Sequence, residues 1–299
     1  MADVRKNTAS GSNVKVKKRS QWVSVMYRFR KNKLAMLGLF LLLVLIFVAV
    51  FAPLLADYDA DAIRQDVKIR FQSPSSEHWF GTDQYGRDVF ARIIYGARTS
   101  LVVGIVTVVI ALSVGAIIGA AAGYYGGMVD NILMRIMDVF LAIPQNLMAI
   151  SIVAALGTDL KNLMIALTIS NVPRFARIVR SAILQIRGQE FIEAAKACGT
   201  RDVRIIAKHI LPNAIGPIVV QATLSIGHTI IAIAGLSFIG LGIQPPKPEW
   251  GTMLAEAKSR MREYPYLIMF PGAAIMVTVL ALNLMGDGLR DALDPKLKN

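Results

Sequence analysis

The chain has 299 residues, 55% of them hydrophobic and 18% charged, with a formal net charge of +13 from 33 basic and 20 acidic residues. A mean hydropathy of +0.51 excludes an ordinary soluble domain, and several runs exceed the ~18 apolar residues that mark a spanning helix. One cysteine and three scattered histidines exclude an internal disulfide and a Cys- or His-based metal site. The basic residues cluster at span ends, so the charge reads as membrane orientation, and nucleic-acid binding is not expected.

Residues 1–33 hold Arg5, Lys6, Lys15, Lys17, Lys18, Arg19, Arg28, Arg30, Lys31 and Lys33 against Asp3 alone. This is a basic tail whose first part is expected to be disordered. It is too long for a cleaved leader, and no small-residue cleavage site follows the first apolar run. Its charge sets the N-terminus in the cytoplasm. A first anchor span is expected over 34–55, leaving at Pro53. Residues 56–98, rich in acid at Asp57, Asp59, Asp61 and Asp66, are expected outside as a solvated capping loop. A short interfacial helix closes it, with Phe90, Ile93, Ile94 and Ala97 on one face.

Residues 99–290 follow as a five-helix core. In the second span, about 100–124, Ala111, Gly115, Gly119 and Gly123 recur every four residues. That ladder admits a closely packed helix, a role favoured over lining a path. The third span, about 132–156, contains Pro144, and Arg135 and Asp138 at i,i+3 read as an ion pair. The fourth starts near Leu160 and ends in a basic margin of Arg174, Arg177 and Arg180. The fifth, about 215–243, carries Ser225, His228 and Thr229 near its middle. These are candidates for a translocation path, although interhelical hydrogen bonding is the favoured role for His228. A short outer helix over 251–262 precedes the sixth span at 266–284. Residues 291–299, with Lys296 and Lys298, form a cytoplasmic tail.

Between the fourth and fifth spans, residues 187–212 form a charged island. Good helix formers run from Gln189 to Cys198, and Gly199 is placed to end that helix with positive φ. Thr200 reads as N-cap of a second helix with Asp202 in its first turn. Val203, Ile206 and Ile210 make an apolar stripe there, and Arg201, Arg204 and Lys208 a basic one. The expected product is a helix–glycine–helix knob at the membrane surface. Glu193 either pairs with Lys196 inside the knob or faces a partner.

Glu193-Ala194-Ala195, then Gly199, then Pro212 thirteen residues on in His209-Ile210-Leu211-Pro212-Asn213, resembles the coupling-loop signature of bacterial ATP-driven importer permeases. His209 replaces the family's usual isoleucine, and that form resembles the peptide-importer branch. So do the runs from Phe80 to Phe90, from Leu236 to Pro246 with Glu249-Trp250-Gly251, and from Gly286 to Pro295. Where many relatives have a glutamate this chain has Ile233, so an acidic pore residue is not carried over. The resemblance covers residues 30–299.

It implies an all-α polytopic membrane protein: six transmembrane helices in the type I ABC importer permease fold, with cytoplasmic coupling helices. Both termini would be cytoplasmic, in a bacterial inner membrane. The implied partners are a homologous second permease subunit, two ABC ATPase subunits, an extracytoplasmic peptide-binding protein and membrane lipid. The ATPase contact would use Glu193, Ala194, Ala195, Gly199, Arg201, Arg204, Lys208, Leu211 and Pro212. Dipeptides or oligopeptides are the implied cargo; nickel, opines and sugars, carried by close relatives, stay open. No Gly-x-x-x-x-Gly-Lys-Ser/Thr occurs, so ATP and Mg would sit on the partner ATPase, and no catalytic residue, metal or cofactor is expected in this chain. The alternatives are a gradient-driven secondary transporter and a non-transporting scaffold. Against the first stand the knob and the absence of acids from the middle of the spans.

Overall fold

In the computed structural model the described residues are 21–293, so the expectations for Arg5 to Arg19, Lys296 and Lys298 lie outside them. Helix α1 (Gln21–Lys31) already begins inside the stretch expected as a tail. Asn32 then caps α2 (Lys33–Val50): its side-chain oxygen accepts the Leu34 and Ala35 N–H groups at 3.1 and 3.2 Å, which offsets two orphan donors of the first turn. Pro53 sits in the first turn of α3 (Ala52–Leu55), where its missing N–H has no partner to lose.

The expected interfacial helix and second span are one helix, α4 (Val89–Tyr125), 37 residues long and capped by Asp88. No proline interrupts it, so the boundary expected at 98/99 falls inside a continuous helix. The third span is not one rod. Helices α5 (Gly127–Ala142) and α6 (Gln145–Leu156) are bent by 84°. Pro144 removes a donor and drives Ile143 into extended backbone, with φ −91° and ψ 126°. Then come α7 (Leu160–Ile186), α8 (Glu190–Ala197) and α9 (Asp202–Ile205), which a wide turn at Ile206–Ile210 joins to α10 (Leu211–Phe238). Helix α11 (Trp250–Ala257) ends in a tight turn at Lys258–Arg260, and α12 (Tyr266–Leu293) runs nine residues past the expected 284.

By length and composition α2, α4, the 202–238 rod and α12 are apolar enough to cross a membrane, or five crossings if the bent α5–α6 pair counts as one. The fourth expected span, α7, has 27 residues, about 40 Å at the helical rise. Its asparagines and arginines hold its apolar content below that of the others. It nevertheless lies at the centre of the bundle, beside α4 along the glycine ladder. A Cβ on Gly115 would meet the Cβ of Phe175 at 2.6 Å, on Gly119 that of Val179 at 2.9 Å, and on Gly123 the carbonyl of Arg180 at 3.0 Å. Only glycine permits that approach. The anchor α2 is peripheral: 17% of its apolar window is buried, against 44% for the 202–238 rod. It rests on α12 where Gly38 meets the Ala281 carbonyl, and Phe29, Ala35 and Ala292 tie in α1.

The 56–88 segment is largely exposed over 56–80, as expected of a solvated loop, but its last part is packed. Thr82, Asp83 and Arg87 are buried in it, as is Arg92 in the first turn of α4. Arg87 donates to Asp83 Oδ2 at 2.6 Å and to Glu256 Oε2 at 2.9 Å, and Arg92 donates to Glu256 Oε2 at 3.0 Å. Phe80 stacks on Phe270, and Trp250, fully buried, donates its Nε1–H to the Ile93 carbonyl. The segment and α11 thus form one cap over the ends of α4 and α12.

Candidate functional site: a knob and a polar recess

The knob is built as expected at its centre and differently at its flank. Helix α8 ends at Ala197, and Gly199 takes φ +71° with nothing within 4 Å of a Cβ placed there. The position therefore favours glycine by backbone conformation alone. Arg201, with no side-chain cap bond, occupies the N-cap position expected for Thr200. There is also no separate second helix: the chain winds from Asp202 through the wide turn into α10, with Pro212 in that helix's first turn. The apolar stripe is shifted as well. Ile192, Ile205 and Ile210 are fully buried against Val179, Ile183 and Ile186, whereas Val203 is 75% exposed.

Two polar contacts hold the knob to the end of α4. Tyr124 donates its hydroxyl to Asp202 Oδ1 at 2.6 Å, and the Lys196 ammonium lies 5.2 Å from the centre of the Tyr124 ring. Lys196 therefore packs on Tyr124, and no ion pair joins it to Glu193 among the described residues. Glu193, Ala194, Arg201, Arg204, Lys208 and Pro212 are exposed; Ala195 and Leu211 are half-buried against the isoleucine cluster. Phe191 adds an exposed aromatic ring.

The second feature is an open recess of about 440 Å³ between the α5–α6 bend, α7 and α10, walled by Gln145, Asn146, Arg174, His228, Ile231 and Leu236 among others. The bend of Pro144 places Gln145 and Asn146 there. Of the three expected path residues only His228 lines it, and it makes no interhelical hydrogen bond among the described residues. Ser225 is buried and accepts from Gln221 one turn back at 3.1 Å, and Thr229 is buried with an unpartnered hydroxyl.

The arginines of α7 are not a uniform margin. Arg177 donates to Asp138 at 2.6 Å and Arg180 to Asp130 at 2.6 Å, so the acid expected to pair with Arg135 is taken by Arg177. An i,i+3 spacing permitted the first pair; an arginine on a facing helix reached the acid instead. Sequence reasoning missed Gln145, Asn146 and Arg174. For Arg174 a signal existed, since it stands twelve residues before the end of α7 and not at its margin.

Comparisons with known proteins agree with this architecture. Residues 115–299 match the family model of the binding-protein-dependent transport system inner membrane component. Residues 20–74 match that of the N-terminal TM domain of oligopeptide transport permease C. The chain is 50% identical over 280 residues to the dipeptide transport system permease protein DppC of Alkalihalophilus pseudofirmus, covering 94% of this chain and 91% of that one. It is 47% identical to the glutathione transport system permease protein GsiD of Escherichia coli, covering 94% and 92%. Among solved structures, an inward-facing form of the MetNI methionine ABC transporter aligns with TM-score 0.56 at 20% identity, over 69% of this chain and 97% of that one, a likeness of fold. With a family model matching well over half of its length and relatives near half identical along almost all of it, this chain belongs to the binding-protein-dependent transport system inner membrane components, as a multi-pass permease subunit and not an enzyme.

Proposed function

We propose that this chain is one of two permease subunits in an ATP-driven importer of dipeptides or oligopeptides. A homologous second permease completes the translocation path, two ATPase subunits bind the knob, and an extracytoplasmic binding protein delivers the peptide onto the cap. The termini and the knob face the cytoplasm, and residues 56–98 and 244–265 face outward. The carrying observation is the outer face of the knob. Phe191 and Val203 stand 41% and 75% exposed among charged neighbours, in a segment too polar to lie in lipid. Apolar groups displayed this way, on a helix pinned from behind by Ile192, Ile205 and Tyr124, suit docking into a partner's cleft. The relatives named for dipeptide and glutathione transport support a peptide cargo. ATP binding would close the ATPase pair, and the knob would carry that motion through Ile205 and Ile210 into α10.

The test is reconstitution with the partner subunits. Dipeptide uptake into vesicles should require ATP and the binding protein and ignore an imposed ion gradient. Cys198, the single thiol of the chain and exposed beside Gly199, should react with a maleimide in the isolated permease and far more slowly once the ATPase is bound. Gradient-driven uptake, or equal labelling in both states, overturns the reading.

A further inference from the structure

The arginines of α7 differ in one respect. Arg177 and Arg180 each hold a carboxylate of α5, Asp138 and Asp130. Arg174, one turn earlier, has no hydrogen bond or ion pair among the described residues, and its side chain lines the recess. It lies twelve residues from the end of α7, about 18 Å along the axis. The knob follows directly after that end, so Arg174 stands well back from the knob along the helix, with its side chain exposed to the recess. At such a position an unpaired cation is costly unless it faces a water-filled path or a transient anionic partner. No carboxylate lines the recess; its other polar groups are Gln145, Asn146 and His228. Gln145 is already turned toward Asn171, donating to its Oδ1 at 3.3 Å, which leaves Asn146 and His228 as free neighbours of the charge.

We propose that Arg174 is the cationic contact for a carboxylate of the peptide in transit, with Asn146 and His228 completing the polar wall of that site. The inference rests on the peptide-importer reading above and assigns the residue within it. A planar guanidinium offers a carboxylate paired donors, and the apolar part of the lining, Ile231, Leu236 and Ile239, tolerates varied apolar side chains. The site would thus bind the constant end of a peptide and accept its variable part. Because the recess is open, the carboxylate regains water as it leaves.

The experiment compares a dipeptide with its C-terminal amide in vesicles carrying the complete transporter, with wild-type permease and with Arg174→Gln and Arg174→Lys. The same binding protein serves all three, so any preference it imposes cancels in the ratio of ratios. Arg174→Gln should reduce the acid-to-amide uptake ratio about tenfold, the scale of one charge-assisted hydrogen bond. Arg174→Lys should keep most of it, and neither should lower the yield of assembled complex. The second measurement omits the binding protein: equilibrium binding of labelled dipeptide and amide to the complex in lipid discs. The acid should be preferred on wild type and lose that preference in Arg174→Gln. An unchanged preference in both assays overturns the site. So does an equal loss for acid and amide with less assembled complex, which would make Arg174 a subunit contact. If wild type transports no peptide at all, the importer reading fails first, and visibly so.

Discussion

The cap and the knob both lie at the ends of the bundle, yet they treat charge in opposite ways. In the cap, Arg87 and Arg92 are buried and share Asp83 and Glu256, four charges from two distant parts of the chain. In the knob, Glu193, Arg201, Arg204 and Lys208 stand in solvent without ion pairs among the described residues, and one tyrosine does most of the polar anchoring. A buried network fixes one geometry, because removing any member leaves the others desolvated and uncompensated. An exposed surface keeps its charges and apolar groups available to a partner. The cap is therefore built to hold α4, α11 and α12 in one arrangement, and the knob to be met.

The difference can be broken first at the cap. Arg87→Ala should cost about 3–5 kcal/mol by leaving Asp83 and Glu256 with Arg92 as their one remaining cation among the described residues. The expected result is a clear fall in the apparent melting temperature of the purified permease complex. An unchanged melting curve would mean that the network is solvated and that the contrast with the knob is illusory.

A smaller effect is expected between the two ends, in the seam that both depend on. Gly119→Leu would press four added carbons into Val179 and the backbone of α7, a strain of about 1–3 kcal/mol where even a Cβ would sit 2.9 Å from the Val179 Cβ. Size-exclusion yield of the assembled complex should drop while the substrate preference of the surviving fraction stays the same. A normal yield with altered preference would make the ladder a lining of the path.

The smallest cost in stability is expected at the knob, and it sharpens the comparison most. Gly199→Val strains a left-handed residue by about 1–2 kcal/mol, yet no neighbour opposes the new side chain. The permease should insert and melt almost normally while retention by immobilised ATPase subunits is lost. Gly199→Asn, whose side chain tolerates that backbone region, should retain much of the binding. Equal behaviour of the two variants would show that bulk and not backbone geometry matters there.

The sequence by itself determined the features that local chemistry controls. Apolar runs placed the anchor span and the cores of α4, α10 and α12; a four-residue period marked the ladder; Gly199 marked the end of α8. Each depends on neighbours within one or two turns. What tertiary structure alone decided involves partners far apart. Arg87 meets Glu256 across 169 positions, so the end of a run that looked like a wet loop became part of a buried cap. Asp138 chose Arg177 on a facing helix over Arg135 on its own, because side-chain reach across a helix pair outweighs spacing along one. Pro144 was visible from the start, but not the 84° bend that carries Gln145 and Asn146 into the recess. Arg174 read as one more basic residue at a margin until the other two arginines of its helix were seen to be occupied. Periodicity records which face of a helix is apolar; only the packed bundle determines what that face meets.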